Sequence, residues 1–280
     1  MLFRSVLGIL LARTVSGLIA AALGWRAAFL LPAVLMVAMA VAVNRLLPRR
    51  QTPAASVPYL KLISSVVTLT VQDRAFRIRS LLALFLFGCF GALWGSVALP
   101  LSAAPWHLST SQIGLFGIAG AAGALGAGGA GRLADRGRAP AVTGVALVLL
   151  LVSWVAIRMA PSSLALLTIG IVVLDFAGQA LHVTNQHLIV ADNPAATSRV
   201  IGGYMVYYSV GTGGGAIVAT GLYSTGGWDA VCVFGAGLAV LALLVWGVDT
   251  LRSERSMAGR ATTRNTEPCL TARHTDRLGP

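Results

Sequence analysis

Acidic residues are nearly missing from this chain: there are nine Asp and Glu among 280 residues, and only 11% of positions carry a formal charge. A soluble globule of this length needs a more polar exterior, because no single core can hide an apolar fraction of 56% from water. Cysteine is equally scarce. Cys89, Cys232 and Cys269 lie too far apart in sequence to suggest a disulfide framework or a metal-ligand spacing. The apolar runs are continuous and do not alternate over about ten residues, which excludes a membrane barrel. Lipid is left as the solvent, and helices are left as the way to satisfy the backbone in it.

Long apolar runs are what the chain has in abundance. Eight spans are predicted, at roughly 5–23, 27–47, 81–101, 112–131, 140–159, 163–190, 202–223 and 228–249. The expected fold is all-α, a polytopic membrane helix bundle of about eight transmembrane helices. Residues 1–47 would form a two-helix unit, 48–80 a basic linker, 81–250 a six-helix bundle and 251–280 a disordered polar tail. The linker's second half, with VQDRAFRIRS, suits a short amphipathic surface helix. The first span is not read as a cleaved signal, since Arg13 interrupts its apolar region and a second span follows at once.

The formal charge of +12 is distributed by side rather than by patch. Seven cations, from Arg45 to Arg79, crowd the link; Arg132, Arg136, Arg138 and Arg199 occupy alternate turns, and the tail holds six more. With Arg4, eighteen of 21 basic residues share one side, and only Arg26 and Arg158 lie opposite. The positive-inside rule makes the rich side cytoplasmic, with both termini there and the chain multi-pass in the inner membrane. A charge excess with this distribution argues against nucleic acid as a partner.

Three local patterns carry chemistry. GRLADRGR at 131–138 packs Gly131, Asp135, Arg136, Gly137 and Arg138 into one turn between apolar runs, where a carboxylate can bond helix-end amides and arginines can sit among phosphates. Span six holds Asp175, Gln179, His182 and Gln186 at helical spacing, with Asn185 beside them. That stripe can line a water-filled path and carry a proton, or it can hold the bundle together by interhelical hydrogen bonds. Arg13 is the one cation deep in a predicted span and can pair with Asp175, bind an anionic substrate or snorkel to an interface. Tyr204, Tyr208 and Trp94 are candidates to face the same cavity. The glycines of GIAGAAGALGAGGAG and of 211–215 allow close helix approach. No strand precedes them and no GK[ST] follows, so they are not read as a phosphate-binding loop.

Taken in order, these segments resemble the major facilitator superfamily. GRLADRGR resembles its cytoplasmic loop signature, shortened by one residue between Arg136 and Gly137. LARTVSGLIAAALGWRAAF at 11–29 resembles its fifth helix and the turn into the sixth. The basic link resembles the loop joining its two halves, and GGYMVYYSVGTGGGAIVATGLYSTGGW at 202–228 resembles its eleventh helix. In that register the chain corresponds to helices five to twelve and lacks the first four, as a mis-called start or a truncated gene would leave it. The resemblance implies a secondary transporter of the drug and sugar efflux branch, exporting a small solute by antiport with protons, with the lipid bilayer as its other partner and no cofactor or metal. The alternative is a truncated, non-transporting remnant or interaction subunit. An intramembrane serine protease built on Ser209 and His182 lacks the GxSG context, so no enzyme is expected.

Overall fold

A computed structural model describes residues 15–46, 59–129 and 133–265 of the chain. These are helical throughout apart from short turns, with no strand among the described residues. Residues 15–23 form a helix that ends at Gly24 and is followed by α1 (Trp25–Leu46). Next come α2 (Tyr59–Gln72), α3 (Arg74–Ser96, extended by a turn at Ala98–Ser102), α4 (Thr110–Gly126), α5 (Ala139–Arg158), α6 (Leu164–Asp192) and α7 (Thr197–Asn265). Among the described residues six helices are long and apolar enough to cross a membrane. The last of these, Thr197–Arg252, has 56 residues, more than twice the roughly 20 that one crossing needs. It is broken at Gly227, where φ of 66° and ψ of −161° suit only a residue without a Cβ, and the predicted spans at 202–223 and 228–249 fall on either side.

Two boundaries differ from the periodicity. Helix α3 begins at Arg74, well before 81, because the Asp73 side chain caps it by accepting from the Phe76 amide at 3.0 Å. At the other end α7 continues to Asn265, past the expected onset of disorder near 251, through a stretch of Arg, Ser, Met, Ala and Glu that propagates a helix without needing an apolar face. The VQDRAFRIRS segment expected to form a short surface helix is instead divided: Val71 and Gln72 end α2, Asp73 caps the next helix, and Arg74 onward opens α3.

Helices α3 to α7 share one core, with Trp154, Tyr204, Phe76 and Leu147 fully enclosed. Small residues set how closely the helices approach. A Cβ on Gly91 of α3 would lie 2.1 Å from the Thr212 carbonyl oxygen of α7, and one on Gly215 would lie 2.2 Å from the Gly88 oxygen. Likewise a Cβ on Gly123 of α4 would meet the Val172 oxygen of α6 at 2.2 Å, and Gly235 makes room for the Trp154 ring. Backbone thus meets backbone, the packing by which lipid-embedded helices gain dispersion energy when no hydrophobic effect drives them together. By contrast α1 has no buried residue, with Phe29, Val34, Met36 and Met39 all largely exposed. The preceding helix touches the bundle at Gly17, whose Cβ would lie 3.6 Å from the Thr110 oxygen and 3.7 Å from the Gly114 Cα.

Candidate functional site

Asp175, Gln179 and His182 occupy successive turns of α6, and all three line a cavity of about 170 Å³ between α3, α4, α6 and α7. Asp175 is only 8% exposed. Facing it, Gly120 of α4 leaves the space the carboxylate uses, since a Cβ there would lie 2.6 Å from Asp175 Oδ2 and 2.8 Å from Trp94 Cζ2. The α3 wall is aromatic. Phe87, Phe90 and Trp94 recur at helical spacing, with Phe90 and Trp94 centroids 6.2 Å apart. Tyr208 of α7 closes the cavity against Phe87, with ring centroids at 3.9 Å.

His182 connects this cavity to the buried core. Its ring meets Phe87 edge-on at 5.0 Å and lies nearly parallel to Tyr204 at 5.6 Å, and Nδ1 is 3.0 Å from the Tyr204 hydroxyl. Tyr204 is fully buried, so this hydrogen bond satisfies a phenol that has no access to water. One turn further along α6 the stripe divides. Asn185 is fully buried and its Oδ1 accepts from Arg79 Nη1 at 3.4 Å, while Gln186 is half-buried and does not line the cavity. The same Arg79 nitrogen donates to Thr143 of α5 at 3.3 Å. Arg79 therefore joins α3, α5 and α6 through neutral acceptors.

Of the predicted site residues, Asp175, Gln179, His182 and Tyr208 meet in one cavity; Tyr204 backs it, and Asn185 belongs to the neighbouring Arg79 contact. Arg13 and Gly131 lie outside the described residues. The loop motif forms a tight turn over Ala134–Arg138 that includes the Asp135 backbone, with Arg136 at φ −84° and Gly137 at φ 75°. Arg138 is exposed and lines a separate cleft of about 360 Å³ with Val142, Phe176 and Ala180, next to the α6 stripe. Ser209 is exposed on α7, whereas His182 pairs with Tyr204. Sequence reasoning missed Arg79, assigning it to the linker, and missed Phe87, Phe90 and Gly120. Reading Asp73 as an N-cap would have moved Arg79 into the second turn of α3.

An acid and an imidazole in a small aromatic-walled cavity can hold a polar solute and exchange a proton with it or with water. Membrane-length helices enclosing such a cavity define a polytopic membrane protein with an internal polar cavity.

Comparison with known proteins gives the family. The model described as the Major Facilitator Superfamily matches residues 5–212 and, overlapping, 81–270, and the chain belongs to that superfamily. It is 44% identical over 241 residues to the Escherichia coli protein described as the uncharacterized transporter YgaY, an alignment covering 86% of this chain and 61% of that one. A Streptomyces coelicolor protein described as a probable transporter is 30% identical over 255 residues, covering 89% of this chain and 57% of the relative. The chain thus spans about 61% and 57% of the length of these two relatives.

Proposed function

We propose that the protein acts as a secondary transporter, exporting a small solute through the cavity beside Asp175 by antiport with protons. The observation that supports this is the cavity itself. A charge near the bilayer centre costs about 2.5–3.5 kcal/mol on insertion scales, a cost offset by a partner or retained for a purpose. Here the carboxylate shares an enclosed space with Gln179, His182 and Tyr208, groups able to hydrogen-bond a solute. In this reading Asp175 carries the proton, Tyr204 orients His182, and Arg79 with Asn185 ties the helix ends. Arg13 supplies a counter-charge to Asp175 or to the solute. Gly131, Asp135, Arg136, Gly137 and Arg138 act in conformational exchange, Asp135 by bonding helix-end amides. The named relatives are described as transporters, which agrees.

A second reading, a membrane subunit that does not itself transport, is favoured by α1. Alternating access works by rocking one bundle against another about a central site, and among the described residues α1 buries nothing against the α3–α7 bundle. Purified protein in proteoliposomes with an imposed pH gradient separates the two. Solute-dependent proton flux well above that of empty vesicles supports transport, and flux at the empty-vesicle level across a broad solute panel leaves the subunit reading.

A further inference from the structure

A second polar cleft, of about 700 Å³, lies at the Arg74 end of the bundle, away from the Asp175 cavity. One wall is a face of α2, with Ser64, Thr68 and Gln72 four residues apart; the other holds Arg74, Asn193 and Arg199. Asp73 is the acid among the lining residues, and both its oxygens are committed, Oδ1 to the Phe76 amide at 3.0 Å and Oδ2 to Asn193 Nδ2 at 3.2 Å. Arg74 donates Nη2 to Asp249 at 2.8 Å and keeps its other N–H groups, its side chain being 48% exposed. Arg199 is exposed, and its side chain makes no hydrogen bond among the described residues.

The rest of α2 says what kind of ligand suits this cleft. One side of the helix is fastened to the bundle: Tyr207 donates to Thr70 at 3.0 Å, and Arg77 donates to the Thr70 and Val71 carbonyls at 3.3 and 3.0 Å. Val67 and Val71, four residues apart, are left 61% and 68% exposed beside the cleft. A helix presenting valines outward next to arginines is placed as an interfacial helix is, with its apolar side in the acyl boundary and its cations at phosphate depth.

We propose that this cleft binds the headgroup of an anionic phospholipid, with its phosphate held by Arg74 and Arg199, its glycerol hydroxyls near Ser64 and Thr68, and its acyl chains along Val67 and Val71. Guanidinium groups favour a phosphodiester over a neutral headgroup through charge-assisted, paired N–H donation. The inference does not depend on transport; it requires only that the bundle sits in a bilayer.

The test is native mass spectrometry of the purified 280-residue chain titrated with phosphatidylglycerol, phosphatidylcholine or inorganic phosphate. Phosphatidylglycerol is expected to be retained over phosphatidylcholine, and removing both charges by Arg74→Gln with Arg199→Gln should weaken it about 25-fold, about fivefold per arginine. Arg158→Gln, at the opposite end, should change nothing. If loss of the Asp249 partner unfolds the double variant, Arg199→Gln alone must still give the fivefold effect. Val67→Gln with Val71→Gln should weaken lipid retention with both arginines present. Equal retention of the two lipids, an Arg199→Gln chain that binds like the unchanged one, or an equal loss in Arg158→Gln would overturn the proposal. So would displacement of the lipid by equimolar inorganic phosphate, which would make this a site for free anions.

Discussion

Gly120 and Asp175 compete for one small volume, and this makes position 120 a probe of the cavity. A methyl group there would press on Asp175 Oδ2 and on the rigid Trp94 ring, both inside 3 Å. Overpacking of this kind costs about 1–3 kcal/mol. Gly120→Ala is therefore expected to lower the melting temperature in detergent and to shrink the cavity, and an unchanged melting curve would mean that the carboxylate has room to swing away. Asp175→Asn tests chemistry at nearly constant shape. The amide keeps the hydrogen-bonding reach of the acid but cannot titrate, so gradient-driven accumulation should be lost while downhill exchange persists. Uphill transport that survives in the Asn variant would remove proton coupling from this residue and leave Asp175 as an interhelical hydrogen-bond former.

At the scale of elements, the contact between α3 and α7 rests on glycines that differ sharply in what surrounds them. Gly91 has the Thr212 carbonyl where a Cβ would go, whereas Gly213, on the same stretch of α7, has open space around it. Gly91→Ala must push two backbones apart and should cost at least the 1–3 kcal/mol typical of overpacking, roughly, with loss of monodisperse protein on size exclusion. Gly213→Ala should be tolerated, since alanine is the better helix former. Equal behaviour of the two variants would contradict the packing. This contrast was not legible beforehand: the sequence displays the glycine pattern but not which glycine faces a neighbouring helix. The polar stripe from Asp175 to His182 was legible, because helical spacing alone puts those residues on one face. Its aromatic wall was not, since Phe87 and Phe90 look like any apolar residue in an apolar run. Arg79 was lost for a different reason. Hydropathy marks where a helix becomes apolar, while the Asp73 cap marks where it begins.

Across the whole molecule, two ion pairs label the ends of the bundle. Arg74 meets Asp249 at 2.8 Å, where α3 starts and α7 leaves the core; Arg158 meets Asp229 at 2.8 Å, where α5 ends and α7 resumes after Gly227. The second pair is exposed on both partners and screened by solvent, so it serves as a marker more than a clamp. Because successive helices run antiparallel, the turn at Ala134–Arg138 and the α6–α7 junction fall at the Arg74 end, and the loop around His107 falls at the Arg158 end. Among the described residues Arg77, Arg79, Arg136, Arg138 and Arg199 also lie toward the Arg74 end, and the positive-inside rule predicts that this end faces the cytoplasm. Single cysteines at His107 and Arg136, both exposed, test this once the native cysteines are replaced. In intact cells an impermeant thiol reagent should modify His107→Cys and spare Arg136→Cys until the membrane is opened. The reverse pattern would invert the protein, and it would also move the Arg74–Arg199 cleft to the outer leaflet. Modification of both positions from outside would mean that an even number of crossings lies between them, which contradicts the single crossing by α4.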